Sequence, residues 1–371
     1  MINVLSVFGT RPEAYKMIPL VLEMAKHPQI DSKVCVTAQH RELLDQALLP
    51  FGIVPDYDLN IMSVGQTLTD ITTKVLQGLA PILADAKPDI LLVHGDTTTT
   101  FAASLAAFYA QISVGHVEAG LRSYDKYRPY PEEINRKLTT ALADLYFAPT
   151  QQSRDNLLKE NISGELIFVT GNTAIDLIRY TTKDDYRFQV DALNHLDFTK
   201  RVILMTAHRM ENRGKPMENI CNAVKRIVCD NPDMLLVWPV HPGKAVVEPA
   251  YAILGGQERV LLTAPLGVFD MHNLMKRTHL LLTDSGGLQE ESPSFNLPTV
   301  VLREVTERPE GLTAGTLVLA GTDENNIYNE AMRLLTDKAA YEKMAAVPNP
   351  FGDGKASERI IEAIVSAMTK K

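Results

Sequence analysis

Short apolar runs and longer amphipathic stretches alternate along this chain. Asn3–Phe8, Lys33–Thr37, Ile90–His94, Ser113–Val117, Leu145–Ala148 and Leu166–Val169 are apolar or β-branched runs of strand length, the pattern of strands buried on both faces. Between them, apolar positions recur at helical spacing over Met17–Lys26, Arg41–Leu49, Thr67–Ala86, Thr98–Ala110 and Pro131–Ala143. Strands and helices alternating at this spacing predict a parallel, doubly wound α/β sheet. After Gly171-Asn172, a helix and a polar, aperiodic stretch (Thr181–Lys200) precede a second strand series: Val202–Thr206, Met234–Pro239, Val260–Leu262, His279–Thr283 and Thr299–Leu302. The chain reads as two α/β domains, 1–170 and 171–355, joined near Thr170–Thr173. A last amphipathic helix follows over Ala356–Thr369.

Length agrees with this division, since 371 residues exceed what one core of ordinary size organises. A net charge of −8 and a pI near 5.6 argue against a nucleic-acid footprint while leaving room for a local basic pocket. Cys35, Cys221 and Cys229 are widely spaced in apolar surroundings and read as buried reduced thiols, with neither a disulfide nor a zinc spacing. The first residues run straight into a strand without a signal-peptide pattern, and no apolar run reaches 18 residues. A cytoplasmic protein without membrane insertion is expected.

In open α/β sheets ligands sit beyond the carboxyl ends of the strands, and the chemically suggestive residues lie there. Arg11 and Lys16 follow the first strand and stand beside a helix start, where the dipole disfavours cations unless an anion is bound. Asp96, in HGDTTTT, is either a helix N-cap or a functional acid, and the neighbouring threonines supply capping without it. Glu118 stands at a strand end near Gly115 and Gly120, while Glu132 and Glu133 open a helix they would favour whatever their role, with Arg136 as a possible i, i+4 partner. Several acids beside an anion site would repel the anion, so they fit proton transfer better than binding. His208 and Arg209 end another strand, and His241 occupies an equivalent place; each histidine has a structural reading beside the chemical one. No HExxH or CxxC arrangement exists, so no built-in metal site is expected, and neither GxGxxG nor GxxxxGK[ST] supports a dinucleotide or ATP at the first loop.

The stretch LLTDSGGLQEESPSFNLPTVVLREVTERPEG combines these signals. A strand passes through Ser285-Gly286-Gly287 into a helix expected near Leu288, a site for phosphate, with Glu291 near enough to take hydrogen bonds from a ribose diol. Arg308 follows the next strand in a loop. This is the expected diphosphate clamp of a nucleotide-sugar enzyme.

Taken together, GTRPEAYKM, VHGDTTTTFAASLAAFY, GHVEAGLRS, PYPEEINR, VTGNTAID, TAHRMEN, PVHP and LTDSGGLQEESPS resemble the non-hydrolysing UDP-N-acetylglucosamine 2-epimerases over essentially the whole chain. The resemblance implies two Rossmann-like doubly wound domains facing across a cleft in the GT-B arrangement, with the final helix 356–371 crossing back to the N-terminal domain. It also implies a homodimer and interconversion of UDP-GlcNAc and UDP-ManNAc without NAD or another cofactor. On this reading Asp96, Glu118, Glu132 and His208 are catalytic, while Arg11, Lys16, Arg136, Ser285, Gly286, Gly287, Glu291 and Arg308 bind substrate. Gln39, Arg209 and His241 match a regulatory UDP-GlcNAc site of bacterial relatives. A GT-B glycosyltransferase and a hydrolysing epimerase are the rival readings, since fold and clamp would serve either.

Overall fold

The computed structural model describes residues 1–38, 41–63 and 65–369. They form two units, one from Met1–Leu177 with the segment that starts at Gly352, the other Ile178–Phe351. In the first, seven parallel strands are ordered β3-β2-β1-β4-β5-β6-β7: β1 (Ile2–Phe8), β2 (Ile30–Val36), β3 (Tyr57–Asp58), β4 (Ile90–His94), β5 (Ser113–Val117), β6 (Leu145–Ala148) and β7 (Ile167–Val169). In the second, six are ordered β10-β9-β8-β11-β12-β13: β8 (Arg201–Thr206), β9 (Met234–Pro239), β10 (Val260–Thr263), β11 (Leu280–Thr283), β12 (Thr299–Val301) and β13 (Leu317–Leu319). Two strands, β3 and β13, lie outside the sequence expectation; at two and three residues they offer no pattern to detect.

The strand order fixes where chemistry belongs. Each sheet reverses direction once, between β1 and β4 in the first unit and between β8 and β11 in the second, and such a switch point leaves a crevice beyond the strand ends. The loops after β1 and β4 carry Arg11 and Asp96. Those after β8 and β11 carry His208 and Ser285, with Thr283 paired to Thr206 so that both strands end level.

Four helix starts differ from the sequence expectation, one of them only in that Thr67 is the N-cap of Leu68–Ala86. The first helix is Arg11–Met24, six residues early, because Thr10-Arg11-Pro12-Glu13 is a capping sequence with proline in the first turn. Another begins at Gly286 rather than Leu288, which leaves no acid in its first turn. Pro131 is the N-cap and Glu132 the first residue of Glu132–Leu142.

The polar stretch Thr181–Lys200 is held down by buried Phe188 and Leu193, which pack with Val202, Leu204, Leu235 and Leu281 on one face of the second sheet. The final helix, Ala356–Met368, belongs to the first unit. Its first N–H groups, of Ala356 and Ser357, donate to the wholly buried Asp176 carboxylate at 3.0 and 2.6 Å. Cys35 and Cys221 are buried, but Cys229 is exposed on Lys215–Asp230, where the helix turns that position outward, correcting the expectation of three buried thiols. Among the described residues no helix is long and apolar enough to cross a membrane.

Candidate active site

In the first unit a buried carboxylate joins the two loops at the switch point. Glu13 Oε2 accepts from Gly9 N at 3.2 Å, Thr10 N at 2.8 Å and Thr10 Oγ1 at 2.7 Å, while Oε1 accepts from Thr97 Oγ1 at 2.8 Å and Thr100 Oγ1 at 3.3 Å. Burial pushes its pKa up further than these bonds pull it down. Arg11, at the first helical position, is exposed, whereas Lys16, one turn on, reaches Glu118.

Glu118 leaves β5 with φ of 62°, a left-handed conformation costing a side-chain-bearing residue about 1 kcal/mol or more. Its Oε2 accepts from Lys16 Nζ and, at 3.0 Å, from Asn172 Nδ2, and its side chain is only 7% exposed. Buried His94 lies 3.8 Å away through Nε2; burial pulls its pKa down to about 3, so it is neutral and the cation of the group is Lys16. Gly95, at φ 67°, leaves the carboxylate room: a Cβ there would stand 3.6 Å from Glu118 Oε1.

Asp96 has its own cation. Its Oδ2 lies 2.6 Å from Arg136 Nη2, and its backbone carbonyl accepts from Asn135 Nδ2 at 2.9 Å. Arg136 also donates to buried Glu133 at 3.1 Å, and Glu133 accepts from the N–H groups of Ser123 and Tyr124. Burial opposes the guanidinium charge, but Asp96 and Glu133 more than restore it, and its pKa is raised. Glu132 differs from both other acids, since its Oε2 is enclosed without a hydrogen-bond partner among the described residues.

In the second unit the organising group is Asp284, wholly buried after β11. It accepts from His208 N at 2.7 Å, Arg209 N at 2.8 Å and Asn212 Nδ2 at 3.0 Å, with His208 Nδ1 at 3.3 Å. Burial raises its pKa, and the hydrogen bonds from the His208 side chain and both backbone amides together outweigh that, leaving it lowered. His208 is partly exposed and stacks on His241, ring centres 5.6 Å apart. Two guanidinium groups flank Gly286: a Cβ there would lie 3.6 Å from Arg308 Nη2 and 3.8 Å from Arg209 Nη2. Arg308 is held by buried Glu290 through its Nε, and its backbone N–H donates to Thr306 Oγ1 at 3.1 Å; Thr306 in turn donates to Gln289 at 2.6 Å. Glycine backbone beside two guanidinium groups is an arrangement chemically suited to an anion.

The family model described as UDP-N-acetylglucosamine 2-epimerase matches residues 22–365. The chain belongs to this family. It is 58% identical to the Bacillus subtilis UDP-N-acetylglucosamine 2-epimerase, covering 98% of this chain and 95% of that one. A solved structure from Listeria monocytogenes superposes with a TM-score of 0.94 at 51% identity, covering 100% of this chain and 97% of the other. The UDP-GlcNAc 2-epimerase of Neisseria meningitidis, solved with UDP-GlcNAc bound, gives 0.89 at 47% identity, covering 98% and 100%.

Within this family fold, the first unit pairs Lys16 with Glu118 and Arg136 with Asp96; the second gathers His208, Arg209, His241, Ser285, Gly286, Gly287, Glu291 and Arg308 near the ends of β8, β9, β11 and β12. Lys16 meets Glu118, a partner the sequence did not suggest, and Arg136 bridges Asp96 and Glu133 rather than Glu132, because i, i+3 geometry and the neighbouring β4 loop reach it first. Gln39 lies outside the described residues. Sequence reasoning missed Glu13, Asn172, His272, Asp284 and Glu290. Glu13 completes a T-x-x-E signature, a legible signal; the others gain their roles from partners distant in the chain. Among the described residues no cluster of three or more His, Cys, Asp or Glu side chains is placed to hold a metal ion.

Proposed function

We propose that this chain interconverts UDP-GlcNAc and UDP-ManNAc by eliminating UDP and adding it back. The C2 hydrogen of the sugar is not next to a carbonyl, so simple deprotonation is very unfavourable. If a base takes that proton while the C1–O bond breaks, the electron pair forms a C1–C2 double bond and UDP leaves with the bridging oxygen. The product is 2-acetamidoglucal. Return of a proton to the opposite face of C2, with attack of the UDP β-phosphate oxygen on C1, completes the inversion. No hydride moves, so no nicotinamide is required.

The observation that carries this reading is the arrangement of first-unit acids. Glu118 and Asp96 each sit on a cation, while Glu132 has an enclosed oxygen with no such partner. Acids in two such environments suit proton transfer on two faces of C2. Arg308 and the Ser285–Gly287 backbone take the growing charge of the leaving diphosphate, aided by Arg11, with His208 as a donor. Glu291 accepts from the ribose diol. The proposal includes a regulatory role for Arg209 and His241, and a cytoplasmic homodimer, as the family resemblance suggests.

Incubation with UDP-GlcNAc alone in deuterated water, followed by proton NMR, tests the reading. UDP-ManNAc should appear with deuterium at C2 of both nucleotide sugars. Free ManNAc accumulating with UDP would assign a hydrolysing reaction, and absence of exchange would exclude epimerisation.

A further inference from the structure

The geometry points to His272 as a positioning residue that holds Glu291 for the ribose of the nucleotide, acting through a buried Thr181–His272–Glu291 chain. This rests on the assignment of Glu291 to the ribose diol. His272 lies on the helix Val268–Met275 and is 1% exposed. Its Nδ1 meets Thr181 Oγ1 at 2.6 Å and its Nε2 meets Glu291 Oε2 at 3.3 Å. A carboxylate only accepts, so a favourable contact at Nε2 requires its hydrogen there. The Thr181 hydroxyl lies 2.6 Å from Nδ1 and 3.2 Å from Ile178 O; turned to the nearer atom it donates to Nδ1, which leaves the ring hydrogen on Nε2 for Glu291. The carboxylate of Glu291 thus selects the tautomer, and the Thr181 hydroxyl, able to donate or accept, complements it.

The helix bearing His272 is itself fixed. Asn273 donates to Thr181 O at 2.8 Å and accepts from Lys183 N at 2.9 Å; Asp270 accepts from Tyr186 Oη, Gln189 N and Val190 N. The imidazole therefore has little freedom to follow Glu291 if the carboxylate swings. The two carboxylate oxygens play different parts. Oε2 is anchored by His272, while Oε1 lies 4.0 Å from where a Cβ on Gly287 would stand, on the side of the turn assigned to the diphosphate. In a nucleoside diphosphate the ribose adjoins the phosphates, so the oxygen beside Gly287 is the one that meets a ribose hydroxyl. Anchoring the other oxygen removes rotamer freedom that binding would otherwise have to remove.

The test compares UDP with 2′,3′-dideoxyuridine diphosphate, which lacks both ribose hydroxyls, by calorimetry on the full chain. Glu291→Gln measures the underlying assignment: it should weaken UDP roughly tenfold and the dideoxy ligand less than about twofold. His272→Phe, which keeps a ring against Phe295 but removes the donor, should follow the same pattern with a loss of about fivefold to tenfold for UDP only. His272→Gln, whose amide restores a donor near the Nε2 position, should recover most of the difference. Unchanged affinity for the dideoxy ligand also reports that each variant is folded. If His272→Phe weakens both ligands equally or neither, the inference fails while the role of Glu291 stands. If Glu291→Gln itself fails to separate the ligands, the ribose assignment falls and the inference with it.

Discussion

Replacing Lys16 with methionine separates two roles that a cation in the first turns of Arg11–Met24 could have. Methionine keeps the length and packing of the stem and removes only the charge. Lys16 and Glu118 have side chains 20% and 7% exposed, so the carboxylate loses its cation in a largely dry place. Breaking a buried pair from one side costs about 3–5 kcal/mol. The Asn172 amide, 3.0 Å from the same oxygen, offsets part of this, which leaves about 3 kcal/mol against the ionised acid and sets an upper limit of roughly a hundredfold on the loss of kcat if ionised Glu118 takes the C2 proton. The Lys16 ammonium is engaged by the acid, so the affinity for UDP should change less than about threefold. Arg11→Met should do the reverse, weakening UDP with a smaller effect on the chemical step. Turnover followed by NMR and UDP binding by calorimetry give both numbers for each variant. A tenfold or greater loss of UDP affinity in Lys16→Met with kcat preserved would refute the reasoning and return Lys16 to the diphosphate.

Other expectations follow from single interactions. Asp176→Ala strands the first N–H groups of the final helix and should cost about 3 kcal/mol, lowering the Tm of the first unit by roughly 7 °C, with faster amide exchange over 356–368; Asp176→Asn, which keeps one acceptor oxygen, should cost less than half as much. His94 and His116 are held down to about 3 and about 4, chiefly by burial, below the ordinary 6.5. Protons then bind the unfolded chain first, so their contribution is complete above pH 6.5 and lost as pH falls from there towards 4 and 3. By pH 5 each should cost about 2 kcal/mol of stability, and denaturant titrations of His94→Asn should show about half the wild-type acid slope. Raised Glu13 acts in the opposite sense, taking up a proton more readily when folded, and flattens the profile nearer pH 4.5. Asp284→Ala removes the acceptor common to His208 N, Arg209 N and Asn212, and should weaken UDP at least about tenfold while leaving the first unit's melting transition in place.

What was legible in the chain was whatever is local. Strands such as Ile90–His94 and Met234–Pro239 are continuous apolar runs, and their bounds in the structure are those read from the pattern. Residues at strand ends were legible too, because a doubly wound sheet leaves them nowhere else to go. Partnerships were not. Whether Lys16 meets a phosphate or Glu118 depends on a residue 102 positions away, and Asp284 becomes the anchor of the His208 loop only once β8 and β11 are neighbours. His272 gave no signal at all, since a lone histidine in a helix has the same local pattern whether or not it supports a binding residue. The early start of the first helix was available in Thr10-x-x-Glu13, yet Glu13 proves to do more than cap, joining two loops through threonines of the second.

The central claim is that the C1–O bond breaks, which makes the β-phosphate oxygens equivalent candidates for the attack on C1 when UDP adds back. UDP-GlcNAc carrying ¹⁸O in the bridge between C1 and the β-phosphorus tests this directly when substrate is recovered after partial turnover and read by phosphorus NMR. The account predicts that label moves from the bridge into non-bridging β-phosphate positions as epimerisation proceeds. Full epimerisation with all label still in the bridge would contradict it.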